Sequence, residues 1–300
     1  MSYRKVAVAG SGTPHRTAAT SRYGRWLVRV GLLLGTLLLA SVVLSGGVAA
    51  DAPDCNNVNF WSGNGTAQYP YEVHTVDQLQ CVAHENTSTA YDDYYIQMDD
   101  IDASETQSWN TGAGFMPIGT ESTITRFEGE YDGNNYEITG LHINRPSHPN
   151  VGLFSTVEGF GGSITDLTVT DADIRGGQGL GNVGILVGEG RNSPSIVNVR
   201  VTGMIDSDAF RTGGVAGDFD GNIFNTTADI SIQSSGAYTG GLVGEFIGGG
   251  SDIDKTQTSG SVSGGGYRRR TESVVPAVDR CTSTGRRVRR VSPRLVGLVA

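Results

Sequence analysis

The chain has 300 residues, enough for one large or two ordinary domains, with 44 glycines and a formal net charge of −9. That charge is unevenly spread: residues 1–50 hold six Lys+Arg and no acid, residues 51–264 hold seven against 29 Asp+Glu, and residues 265–300 hold nine Arg against two acids. So acidic a middle argues against nucleic acid as a partner, and apolar residues recurring regularly between the glycines argue against a disordered chain.

Arg4, Lys5, Arg16, Arg22, Arg25 and Arg29 precede the uncharged run "VGLLLGTLLLASVVLSGGVAA" (30–50), which ends in small residues suited to signal cleavage near Ala49 or Ala50. The run is also close to the roughly 20 residues that span a bilayer. Residues 1–50 are therefore either a signal peptide or an uncleaved anchor, with membrane contact through residues 26–50 in the second case. Either way, positive charge stays inside and residues 51 onward are expected outside, secreted or at the cell surface. The early "VAVAGSG" (6–12) lacks the third, helix-opening glycine of a dinucleotide site.

Cys55 and Cys81, the two cysteines of the acidic region, are expected to form a disulfide in an oxidising compartment. Asn64, Asn86 and Asn225 each open an Asn-x-Ser/Thr sequon and are candidate glycan acceptors. "HENTS" from His84 begins like a zinc-protease helix, but Ser88 stands where the second His ligand is required.

From residue 145 the chain repeats. Leu153 ("NVGLFS"), Leu186 ("NVGILVG"), Val215 ("TGGVAG") and Leu242 ("TGGLVG") align at separations of 33, 29 and 27 residues. Ile164, Ile196, Ile223 and Ile253, each in a second motif, follow at separations of 32, 27 and 30. Repeats of 20–50 residues mean a solenoid, a propeller or an array. In "ITDLTV" and "IVNVRV" the apolar residues alternate with polar ones, the period of a strand. Helical repeats are incompatible with so much glycine, and a propeller blade needs about 40 residues. The expectation is a coil of about 30 residues, with two or three short strands stacked about 4.8 Å from the next coil. Glycine then serves where φ is positive or where a neighbouring backbone leaves no room for a Cβ. Parity does not settle which residue of each Leu-Val pair points inward.

"GLFS", "GILVG", "GGVAG" and "GGLVG" resemble the GLUG repeat of exported and cell-surface proteins, including ones attached to IgA-specific metallopeptidases. "YPYEVHTVDQLQCV" (69–82), "YYIQMDDIDAS" (94–104), "FMPIGT" (115–120) and "FEGEYDGNNYEITGLHI" (127–143) are similar to the lead-in that precedes such repeats. The resemblance implies an all-β fold, a right-handed parallel β-helix of the pectin-lyase-like kind. Residues 51–144 would form its lead-in and first part and 145–264 its repeats, with the eight aligned Leu, Val and Ile residues in the core. It also implies a short helix at "TVDQLQCVA" (75–83), for which Thr75 is a suitable N-cap.

No cofactor is expected, and no metal beyond a candidate calcium loop at Asp218, Asp220 and Asn222, which lacks the distal Glu of an EF-hand. "YDGNN" (131–135) reads as a tight turn and "GLGNVG" (179–184) as a bend. Asp166, Asp171, Asp173, Asp218 and Asp220 are the acids that a polysaccharide hydrolase or lyase would draw on. Three readings follow: a cell-surface or secreted structural and adhesive solenoid that binds glycans or surface proteins; a carbohydrate-active enzyme; or a detached repeat region without activity. The acidic middle is expected to need salt for stability. From Arg268 the repeat breaks at "RRRTESVVPAVDR", so residues 265–300 are either a basic, disordered tail or the product of a frame change.

Overall fold

The computed structural model describes residues 51–84, 92–119, 126–177, 179–247 and 251–263. The signal or anchor, Asn86 and the tail 265–300 lie outside the described residues.

The repeats form a parallel β-solenoid with four sides. Side one is a seven-stranded parallel sheet of Tyr71–Val73, Tyr94–Gln97, Glu130–Asp132, Ser163–Thr165, Ser195–Val197, Asn222–Phe224 and Ile253–Asp254. Side two stacks Ile101–Asp102, Glu137–Thr139 with His142–Arg145, Thr168–Gly176, Arg200–Ser207, Thr227–Ser234 and Gln257–Ser263. Sides three and four are four-stranded. Side three is Asn150–Val151, Asn182–Val183, Arg211–Gly213 and Tyr238–Gly240; side four is Phe154–Glu158, Val187–Arg191, Ala216–Phe219 and Val243–Phe246. Each complete coil thus holds four strands, not two or three. About 30 residues suffice because the strands of sides three and four run only two to five residues.

The core is built of in-register ladders. On side one Tyr71, Tyr95, Tyr131, Ile164, Ile196, Ile223 and Ile253 stack rung on rung. On side two Ile143, Ile174, Ile205, Ile232 and Val262 do the same. Leu153, Leu186 and Val215 are fully buried and Leu242 nearly so. Ile253 departs from the expected core: it is 38 % exposed, since no described strand covers its rung. The Leu-Val question resolves in favour of both residues. Leu186 and Val187 are each wholly buried, because the chain turns between sides three and four at this pair.

That turn explains the glycines. A Cβ at Gly217 would lie 2.4 Å from Val183 N, at Gly188 2.7 Å from Val151 N, and at Gly244 2.7 Å from Thr212 N. Side four therefore packs directly on the side-three backbone of the preceding coil, and none of these three glycines has positive φ. Close approach, not conformational freedom, is their reason.

Ahead of the coils, Val76–Gln80 forms the expected helix, with the Gln78 N–H donating to Thr75 Oγ1 at 3.2 Å. Cys55 is bonded to Cys81.

Candidate functional site

Side two has the longest described strands of the solenoid, and along them inward Val and Ile alternate with outward hydroxyls, carboxylates and amides, with Met204 an apolar exception. Its outward rows run Thr202, Asp229, Ser259 and Met204, Ser231, Ser261 from coil to coil. The hydroxyls couple along the stack: Thr139 to Thr170 at 3.2 Å and Ser231 to Ser261 at 3.1 Å.

A groove of about 600 Å³ opens in this face, lined by Asp171, Arg200, Thr202, Asp229, Ser231 and Ser261. Backbone irregularity makes it. The register slips between Val169 and Ala172, Asp171 takes φ +52, and its N–H donates to Thr202 Oγ1 at 3.2 Å. On the neighbouring rungs Gly203 (φ +151) and Gly260 (φ +109) let the strands dip: a Cβ there would meet Ala172 O at 2.2 Å and Ile230 O at 1.9 Å. The groove offers hydroxyls, two carboxylates and one guanidinium to a polar ligand.

The other candidate acids do not line the groove. Asp166 sits at the corner between sides one and two, in a ladder of left-handed residues: Asn198 Nδ2 donates to Asp166 Oδ1 at 2.8 Å, and Asn225 Nδ2 to Asn198 Oδ1 at 2.8 Å. Only Asn and Asp hold this conformation with ease among larger residues, and the sequon nitrogen of Asn225 is thereby already a rung. Asn64 is exposed, its Oδ1 accepting from the Thr66 hydroxyl at 2.7 Å. Asp173 faces His142 Nδ1 at 3.2 Å.

Asp218 belongs to a network between sides three and four. Glu189, Asp218 and Glu245 stack on side four, opposite Asn150, Asn182 and Arg211 on side three. Arg211 Nε lies 3.5 Å from Asp218 Oδ2 and also pairs with Glu245; Asn150 Nδ2 donates to Glu189 Oε2 at 2.8 Å. Burial raises the Asp218 carboxyl above its ordinary range, and the charges of Glu189 and Glu245 add to this while Arg211 opposes it. Two of the candidate calcium ligands have protein partners. Asp218 faces Arg211, and Asn222 Oδ1 accepts the Asp252 N–H at 3.1 Å. Among the described residues no group of three His, Cys, Asp or Glu is placed to hold a metal ion.

Sequence reasoning flagged Asp171 but missed Arg200, Thr202 and Asp229 as its neighbours. The only hint was glycine inside an otherwise alternating strand, at Gly203 and Gly260, which signals a bulge or a close approach.

No protein-family model matches the chain, so the likeness to GLUG repeats rests on the motif series itself. The chain is 33 % identical over 215 residues to halomucin of Haloquadratum walsbyi, a match covering 62 % of this chain and 2 % of that protein. Over 112 residues it is 35 % identical to a protein of Evansella cellulosilytica provisionally named a Gly-rich membrane protein, covering 37 % of this chain and 12 % of that one. It spans only a small part of both relatives. A crystal structure from Bacteroides ovatus, described as a candidate immunoglobulin A1 protease, superposes with a TM-score of 0.51 at 15 % identity, over 71 % of this chain and 73 % of that one. That likeness is one of fold. Among the described residues no helix is long and apolar enough to cross a membrane.

Proposed function

We propose that this chain is an exported β-solenoid of the GLUG-repeat kind, placed at the cell surface or secreted, with a structural or adhesive role toward glycans or surface proteins. The observation that carries this reading is the outer face of side two, where polar rows repeat from coil to coil around an open groove that Asp171 lines and the other candidate acids do not. A repeating polar row matches a repeating polar polymer. The likeness to a protein named halomucin and to one named a membrane protein supports a place at the cell envelope. The test is fractionation of cells expressing the tagged chain, followed by a glycan array in molar salt. Protein outside the cytoplasm that binds glycans without releasing sugar is the expected result; retention in the cytoplasm overturns the reading.

One observation favours a hydrolase as the second reading. Asp171 and Asp229 line the same groove two strands apart, roughly 9–10 Å at the usual strand spacing, near the separation that admits a water between two inverting carboxylates. Reducing sugar released from an acidic polysaccharide, and lost in both Asp171→Asn and Asp229→Asn, would establish it.

A further inference from the structure

At the lead-in end, away from the groove, Trp61 is 68 % exposed, whereas Trp109 is 2 % exposed. One exposed ring is ordinary in itself; what sets Trp61 apart is how it is held. One face of Trp61 is backed by the His74 ring, with centroids 4.2 Å apart and planes 25° from parallel. His74 is itself fixed. Its Nδ1 lies 2.6 Å from Asp99 Oδ2, its Nε2 lies 3.5 Å from Glu72 Oε2, and its backbone N–H donates to Gln78 Oε1 at 2.7 Å. Backbone pairing of Glu72 N with Ser62 O and of Asn64 N with Tyr69 O ties residues 62–64 to residues 69–72, and Tyr69 on the second segment is also 68 % exposed.

We infer that Trp61, backed by His74, is a stacking platform for a neutral pyranose unit of a polysaccharide. The inference rests on the adhesive reading above. A pyranose has a C–H face that recovers apolar burial against the indole, and rim hydroxyls that stay in water at so exposed a ring. Around Trp61 there is no apolar patch wide enough for a lipid or an apolar peptide: among the described residues of the lead-in, Trp61 and Tyr69 are the large exposed hydrophobics. A cationic partner fits less well, since the Glu72 and Asp99 carboxylates already face His74. An anionic polysaccharide would meet seven cations against 29 acids in residues 51–264.

The test is tryptophan fluorescence and calorimetry on the full chain in molar salt, titrated with cellohexaose, mannohexaose and maltoheptaose, with choline as the cationic probe. At least one oligosaccharide should give a saturable blue shift. Trp61→Ala should abolish the shift and weaken binding by about tenfold or more, as for an aromatic anchor, while Trp61→Phe retains most of the affinity by calorimetry. Circular dichroism checks that both variants fold. The inference is overturned if no oligosaccharide changes emission or heat, if Trp61→Ala binds like the wild type, or if choline alone produces the shift. Fractionation separates the two failures: an exported protein that ignores sugars sinks only the platform, and a cytoplasmic one sinks the adhesive reading whatever it binds.

Discussion

The two halves of the solenoid fill their interiors differently. In the lead-in the interior is made of rings: Tyr95, Phe115, Phe127 and Tyr131 are buried, Phe127 lies 5.1 Å from Phe154, and Tyr131 Oη donates to Gln97 Oε1 at 3.0 Å. From residue 150 onward sides three and four touch backbone to backbone, and the coil closes on glycine. Rings fill a space whose walls differ from coil to coil. Glycine serves where like coils repeat and every coil must meet the same neighbour.

That contrast predicts where one added group does most harm. Gly217→Val brings side-chain atoms against the Val183 backbone, and overpacking costs about 1–3 kcal/mol, with the upper end expected where backbone has to move. Tyr131→Phe removes one buried hydrogen bond of the lead-in and should cost about 1–2 kcal/mol. Urea unfolding of the two variants measures the difference; a Gly217→Val protein no less stable than Tyr131→Phe would refute the close-approach account.

The disulfide comes next. Its partners are 26 residues apart, and a loop of that length stabilises by roughly 3 kcal/mol. Replacing both cysteines with serine should raise hydrogen exchange across residues 51–84 and leave strands such as Arg200–Ser207 protected. Equal loosening of the coils would mean the two halves unfold as one unit.

The repeat register was legible in the sequence because the ladder residues are large and apolar: Ile164, Ile196 and Ile223 align in the sequence and stack in the structure. The four-sided cross-section was not. Strands as short as Asn182–Val183 carry no measurable period, and the glycines around them read equally as bends. The groove was hidden for a related reason, since it arises from a register slip at Asp171 that no residue type announces. Trp61 does not stand out in the sequence because exposure is a tertiary property. Asp166 and Asn198 do carry a signal, Asx residues at one position of successive coils, which marks a left-handed corner only once the coils are stacked.

That corner gives a smaller effect. Asn198→Ala loses both ladder hydrogen bonds and forces alanine to φ +57, costing about 1–2 kcal/mol. Asn198→Gly relieves the backbone strain without restoring the bonds, so its melting temperature should fall between alanine and wild type. Glycine melting no higher than alanine would remove the conformational part of the argument.

The smallest effect distinguishes the two halves by pH. In the lead-in, burial pushes the Asp93 carboxyl up to about 6, with the charge of Asp92 adding to it, since the group packs against Gly65 and the Tyr71 ring. Below the unfolded value of 3.8 both states hold the proton and nothing is lost. Between there and about 6 the folded state keeps a proton that the unfolded state releases, so stability falls as pH rises, and above that window the whole penalty remains. In the coils Asp218 is raised too, but Arg211 opposes the shift, so the pH slope should belong mainly to the lead-in. Asp93→Asn should therefore raise the melting temperature at pH 7 by roughly 2–4 °C, the effect of about 1 kcal/mol in a chain of this size, after discounting for partial exposure. At pH 4 it should change little, and Asp218→Asn should gain less at pH 7. Thermal melts of both variants across pH 4–7 decide it: an equal gain at both ends would mean that the substituted amide packs better for reasons of shape, with charge playing no part.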